Sequence, residues 1–246
     1  MASAKTSFVC TECGWTTVKW VGRCAECQQW DTMQEASAGR GLGSTKQVAA
    51  VRLVPAATAK PITDVSTKPV AAWPTKVGEF DRVLGGGLVP GAVILLSGEP
   101  GVGKSTLLLE VAANAARGGE KVLYVSGEES VGQVRLRAER TGALVDQLYL
   151  AAETDLATVL GQIEAVSPQL LVIDSVQTIA SAEIDGAAGM PSQVREVAAN
   201  LIRVAKEKAL PVIMVGHVTK DGSIAGPRAL EHLVDVVCHF EGDRQT

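Results

Sequence analysis

Gly98-Glu99-Pro100-Gly101-Val102-Gly103-Lys104-Ser105-Thr106 fits the pattern G-x-x-x-x-G-K-[ST]. An apolar run, Val93-Ile94-Leu95-Leu96, precedes it and reads as a buried strand, and a helix-like stretch, Leu107 to Ala116, follows. Strand, glycine loop and helix in that order are the setting in which such a loop cradles phosphate. Glycines let backbone N–H groups turn inward, and the helix N-terminus adds the positive end of its dipole. Lys104 is placed to reach the β- and γ-phosphates, and the Ser105 hydroxyl to hold Mg²⁺. The segment predicts a nucleoside triphosphate site.

Outward from the loop, strands and helices alternate. Lys121 to Ser126 is β-rich, Ser130 to Arg140 reads as a polar helix, and Gln147 to Leu150 as a brief strand. Leu156 to Val166 carries apolar residues at helical spacing, Leu170 to Asp174 is a continuous apolar strand, and Ser192 to Leu210 is a long helix before the Pro211 to Gly216 strand. Strands apolar on both faces and separated by helices predict an α/β fold, a mostly parallel sheet covered by helices.

In such a sheet the chemistry gathers at the carboxyl ends of the strands. Asp174 ends its strand where a carboxylate holds Mg²⁺ through water. Glu128 lies just past Val122-Leu123-Tyr124-Val125, where it can polarise an attacking water; an acidic residue there also suits the start of a helix. His217 follows Val212 to Gly216, in reach of a γ-phosphate or the water, and a structural histidine fits the pattern equally. His232, in an expected short helix over Ala229 to Leu233, and His239, on the polar face of a strand, receive no role.

Near the N-terminus, Cys10-Thr11-Glu12-Cys13 and Cys24-Ala25-Glu26-Cys27 form two C-x-x-C pairs separated by ten residues. Four thiolates so spaced can converge on one tetrahedral ion, the arrangement of a structural Zn²⁺ site. Iron and disulfide pairing are the other readings of the same spacing. Trp15, Trp20 and Trp30 are expected to pack the small core around the metal. Cys238, in a strand-like run, reads as a small core residue.

Charge is unevenly spread over the 246 residues, whose net value is −4. Residues 36–76 carry six basic side chains against Asp64 alone, and residues 77–246 carry 14 basic and 22 acidic. The middle stretch is rich in Ala, Thr, Gly and Pro without periodicity and reads as a flexible basic linker. No apolar stretch approaches the roughly 20 residues that span a bilayer, and Met1 to Val9 has no signal-peptide pattern. A cytoplasmic protein without membrane partners is expected.

Joined in one chain, these motifs resemble the bacterial RadA/Sms family of RecA-like ATPases of recombination and DNA repair. The resemblance runs through Cys10-Thr11-Glu12-Cys13-Gly14-Trp15, Lys19 to Cys24 and Trp30-Asp31-Thr32. It resumes from Glu79 to Gly91 and continues through the phosphate loop, Val125 to Ser130, Ile173 to Thr178, Ser192 to Glu196 and Gly216 to Gly222. It implies a zinc module over 1–35, the linker over 36–72 and a RecA-like ATPase domain over 73–246. It further implies ATP and ADP as nucleotides, hydrolysis with Glu128, Lys104 and His217 at the reacting phosphate, and a homo-hexamer on single-stranded or branched DNA. A recombinase or replicative helicase is an implied protein partner. Loops over Ala180 to Pro191 and Lys220 to Arg228 would line the DNA path, with Lys220, Arg228 and Arg195 on phosphates. Family members continue into a Lys-Asn-Arg-Phe-Gly motif and a domain resembling a Lon protease fold; this sequence stops at Thr246 without either, and the chain is expected to be truncated. A signalling ATPase of the KaiC type is the rival resemblance. It shares the glycine-rich entry and the loop but not the cysteine pairs.

Overall fold

The computed structural model describes residues 7–11, 15–30, 32–36, 61–64, 72–217 and 227–242, and the chain divides into two units, Met1–Ser66 and Thr67–Thr246. In the first unit, β1 (Ser7–Cys10), β2 (Thr16–Thr17) and β3 (Met33–Ala36) form an antiparallel sheet in the order β2-β1-β3. Among its described residues, Cys10, Cys24 and Met33 are buried, with Phe8, Trp15, Val21 and Cys27 packed against them. A core this small cannot hold a fold by apolar burial alone, which is the situation in which small domains rely on metals or disulfides. The expectation that all three tryptophans pack this core fails at two of them. Trp20 and Trp30 are 62% and 68% exposed, because the cysteine sulfurs occupy the centre. The exposed Trp30 ring carries the Arg23 guanidinium over one face, 5.7 Å from the ring centre. Of the segment read as a linker, only Ala36, residues 61–64 and Ala72 lie among the described residues.

In the second unit, α1 (Gly78–Val83) precedes β4 (Val93–Gly98), α2 (Lys104–Arg117), β5 (Val122–Ser126), α3 (Val131–Arg140) and β6 (Leu148–Ala152). There follow α4 (Leu156–Val166), β7 (Leu170–Asp174), α5 (Pro191–Lys208), β8 (Val212–His217) and β9 (Val236–His239). The sheet order is β6-β5-β7-β8-β4-β9 and every pairing is parallel. The α/β expectation is met, and the all-parallel pairing explains why β4, β5 and β7 are buried along their whole length.

Alternation along each strand divides the core into two layers. Ile94 and Leu96, Val122 and Tyr124, Leu170 and Val172, and Ile213 and Val215 point to the face covered by α1, α2 and α3. Val93 and Leu95, Leu123 and Val125, Leu171 and Ile173, and Val212 and Met214 meet α4 and α5 on the other. Local signals set the helix ends. Ser130 and Gln133 form a reciprocal capping box at the start of α3, and the Asp155 carboxylate accepts from the Thr158 N–H at the start of α4. Ala209, in left-handed backbone with φ 50°, closes α5. The short helix expected over residues 229–233 is instead a 3-10 turn, Pro227–Ala229. Beyond it, the Leu233 and Val234 N–H groups both turn back to the Leu230 carbonyl, a single hydrogen-bonded turn that does not propagate into a helix. Among the described residues, no helix is long and apolar enough to cross a membrane.

Candidate functional site

The same alternation decides what stands at the carboxyl edge of the sheet. Continuing the α2-facing rows by one residue each gives Gly98 on β4, Ser126 on β5, Asp174 on β7 and His217 on β8. These residues therefore collect beside the N-terminus of α2, where the phosphate loop ends. Gly98 is there for a close approach: a Cβ would lie 2.2 Å from the Phe240 carbonyl oxygen. Gly103, with φ 104°, makes the left-handed turn from which α2 starts.

Lys104 opens α2 and is 3% exposed. Its Nζ donates to the carbonyls of Gly98 at 2.9 Å and Glu99 at 2.8 Å, so the ammonium lies inside the curl of the loop. Burial pushes its pKa below the ordinary lysine value, and the charges of Asp174 and Glu128 act against that shift. Ser105 is half-buried in the first turn beside it. Asp174 is buried, and its Oδ2 accepts from the Tyr124 hydroxyl at 2.6 Å. Burial first, then the Asp174 charge, raises the Tyr124 pKa and keeps the phenol a donor.

Glu128 joins this group from the loop after β5. Its Oε1 accepts from Ser175 Oγ at 2.8 Å and lies 2.9 Å from His217 Nε2. The histidine contact is close but off the hydrogen-bonding axis, since neither His217 ring nitrogen has an aligned partner among the described residues. The His217 contact is the largest influence on the Glu128 pKa and holds it below the ordinary glutamate value. Burial opposes, while Ser175 and the charges of His217 and Lys104 reinforce the shift. The His217 backbone is itself clamped: the Gln177 amide accepts from its N–H at 3.1 Å and donates to its carbonyl at 3.0 Å.

A cavity of about 200 Å³ is lined by Gly101, Gly103, Lys104, Ser105, Thr106, Arg137 and His217. Its donor set fits a polyphosphate: two fixed cations, a helix N-terminus and the amides of a glycine loop. Ser105 and Asp174 offer the hydroxyl and carboxylate that Mg²⁺ takes with water and phosphate oxygens. Bound there, Mg²⁺ would neutralise charge on the β- and γ-phosphates.

The structure thus brings Lys104, Ser105, Asp174, Glu128 and His217 to one edge. Ser175, Gln177, Tyr124 and Arg137 complete the arrangement and were not singled out from the sequence. Their roles depend on which strand ends and helix faces meet, and the chain pattern does not carry that information. Of the residues expected on DNA, Lys220 lies outside the described residues, while Arg228 and Arg195 are exposed, in the 3-10 turn and in α5. The 180–191 loop closes around the buried Gln193 amide, which accepts from the Ser181 N–H and donates to the carbonyls of Ser181, Ile184 and Gly186. Its charged residues, Glu183 and Asp185, are acidic. His239 Nδ1 lies 2.7 Å from Ser97 Oγ, a contact that ties β9 to β4.

In the N-terminal unit, Sγ atoms of Cys10, Cys24 and Cys27 all lie within 4.8 Å of one another, with Cys10 and Cys27 at 3.6 Å. Thiolates about 2.3 Å from one tetrahedral ion stand about 3.8 Å apart, so the cluster fits a shared metal. Cys13 lies outside the described residues. Cys238 is buried in β9, and burial raises its pKa, as suits an inert core thiol.

Residues 78–223 match the family described as AAA domain, and residues 8–35 match that described as rubredoxin metal binding domain. Among curated proteins, the chain is 54% identical over 246 residues to "DNA repair protein RadA" of Mycobacterium tuberculosis, covering 99% of this chain and 51% of that protein. It is 54% identical over 250 residues to the protein of that description in Mycolicibacterium smegmatis, covering 99% and 54%. In Bacillus subtilis the figures are 44% over 244 residues, 99% and 53%. The chain spans about half the length of the curated relatives it matches.

Proposed function

The chain belongs to the AAA domain family, and on that footing we propose that it is the ATP-hydrolysing core of a DNA-processing motor in recombination and repair. The observation that carries the reading is the convergence of Lys104, Asp174, Glu128 and His217 beside the N-terminus of α2. Lys104 stabilises charge that develops on the γ-phosphate, Ser105 and Asp174 position Mg²⁺, and Glu128 takes the proton of the attacking water. His217 touches both Glu128 and the cavity, and the chain leaves it for the segment carrying Lys220. Occupancy of the phosphate site can therefore be passed to that segment.

Single-stranded and branched DNA are the proposed partners, with a homo-hexamer as the working assembly and Zn²⁺ as the metal of the cysteine cluster. The support is the named function of the relatives. A cysteine cluster joined to this ATPase favours this reading over a KaiC-type signalling ATPase. The acidic 180–191 loop is a poor phosphate contact, so the backbone grip is assigned to Lys220 and Arg228, with Arg195 beside the loop.

Lys104→Ala tests the nucleotide site. ATP turnover is expected to fall on the order of a hundredfold or more, the scale of losing one preorganised electrostatic contact, with the cysteine cluster still metal-loaded. Phosphate release measured beside metal content checks it, and retained turnover would overturn the assignment. Replacing Lys220 and Arg228 together by Ala is expected to weaken single-strand binding and reduce the salt slope by about 1.4, roughly 0.7 for each lost contact. A slope unchanged in a titration from low to high salt would remove both side chains from the interface.

A further inference from the structure

Of the described residues lining the phosphate cavity, two come from outside the loop and α2: His217 and Arg137. Arg137 enters the donor set of that cavity as a cation, but none of the catalytic roles above falls to it. It sits in the last turn of α3, where a basic residue ordinarily complements the helix dipole from the surface. Here it is turned inward, its side chain only 14% exposed. Its Nη2 pairs with the Glu129 carboxylate, and Glu129 is in turn fixed through its N–H, which donates to Ser126 Oγ at 3.0 Å. The positive charge of Arg137 also acts on the buried Tyr124 hydroxyl, which donates to Asp174. The guanidinium is thus directed towards the strand ends.

Taking the nucleotide site above as its basis, we propose that Arg137 is a second cationic contact for the terminal phosphate, held at the cavity wall by Glu129. A guanidinium carries five N–H donors in a rigid fork. It can keep its carboxylate partner and still offer donors to a phosphate oxygen. The geometry suits such sharing, because Lys104 approaches from the loop side and Arg137 from α3. Glu128 and Glu129 are adjacent in sequence, so a pull on Arg137 by phosphate acts directly on the segment that presents the water-activating carboxylate. An ATP-loaded site then differs from an ADP-loaded one in how α3 is anchored.

The test compares affinities of this chain for a non-hydrolysable ATP analogue and for ADP, each with Mg²⁺, by fluorescence of a labelled nucleotide. Arg137→Gln is expected to weaken the ATP analogue about tenfold to hundredfold, the scale of one charge-assisted contact, and to change ADP affinity less than about threefold. The ratio of the two affinities is the readout, since a merely structural role would weaken both alike. Glu129→Gln, which loosens the arginine without removing it, is expected to lower the ratio by a smaller factor. Should Arg137→Gln fail to fold, Arg137→Lys, which keeps the charge and loses the fork, gives the same comparison: a reduced ratio supports the assignment. A ratio unchanged in the folded variant overturns the Arg137 contact alone. A wild-type chain that binds neither nucleotide overturns the site reading with it.

Discussion

ATP hydrolysis is expected to fall about a hundredfold to ten-thousandfold in Glu128→Gln, the range attributed to a positioned general base, while nucleotide stays bound. The amide keeps the shape of the side chain and its contact with Ser175 Oγ, so the loop after β5 should hold. What it loses is the capacity to accept a proton from water. The direction of the Glu128 pKa gives a second readout. The contact with His217 holds the carboxylate below its ordinary value, with Ser175 and Lys104 assisting. A depressed pKa means that the ionised, base-competent form persists as pH falls and is lost only below the ordinary glutamate range. The acid limb of kcat/KM should therefore lie lower than a solvent-exposed glutamate would give, and His217→Ala should move it up. Steady-state phosphate release across pH checks both. Hydrolysis undiminished in Glu128→Gln would move the base elsewhere, with Glu129 the first alternative.

Removal of the metal is expected to unfold the cysteine module and leave the ATPase unit intact. Three short strands and a buried set of Cys10, Cys24 and Met33 cannot offset the chain entropy of ordering the module. Structural Zn²⁺ supplies apparent binding free energies of about 10–16 kcal/mol in small modules, most of which would be lost with the ion. Cys24→Ser should act in the same way, since Cys24 is buried within the sulfur cluster. Wild-type chain should contain one zinc ion, and a strong chelator should collapse the fluorescence contribution of Trp15, Trp20 and Trp30. The melting transition of the second unit should stay where it was, because its two core layers contain none of these residues. A metal-free module that remains folded would show that the cysteines are not a structural metal site.

Much of this arrangement was legible in the sequence, for reasons that can be stated. The phosphate loop is local, and its chemistry needs glycine and lysine at fixed spacing. Asp174 and His217 were legible because continuous apolar strands announce where they end, and parallel topology puts those ends together. Glu128 was legible from its offset to β5. Arg137 was not, because a basic residue in the last turn of a helix matches the ordinary dipole preference. Only the packing of α3 on the sheet face it shares with α2 turns it towards the loop. Tyr124 looked like one more apolar strand residue until its register beside Val172 placed its hydroxyl under Asp174. The Gln177 clamp on His217 joins residues 40 apart in sequence, and its spacing carries no periodic signal. The tryptophans misled for the opposite reason. Aromatic residues near a metal knuckle suggest core, but a module whose centre is sulfur has little interior left to fill.

We propose that this ATPase unit grips DNA in response to nucleotide. Binding of labelled single-stranded DNA, followed by fluorescence anisotropy with an ATP analogue, ADP or no nucleotide over a salt series, tests it most directly. Binding should be tightest with the ATP analogue and should fall steeply as salt rises. Binding that is absent, or identical in all three nucleotide states, both here and in a chain extended to the full length of the relatives, would contradict it.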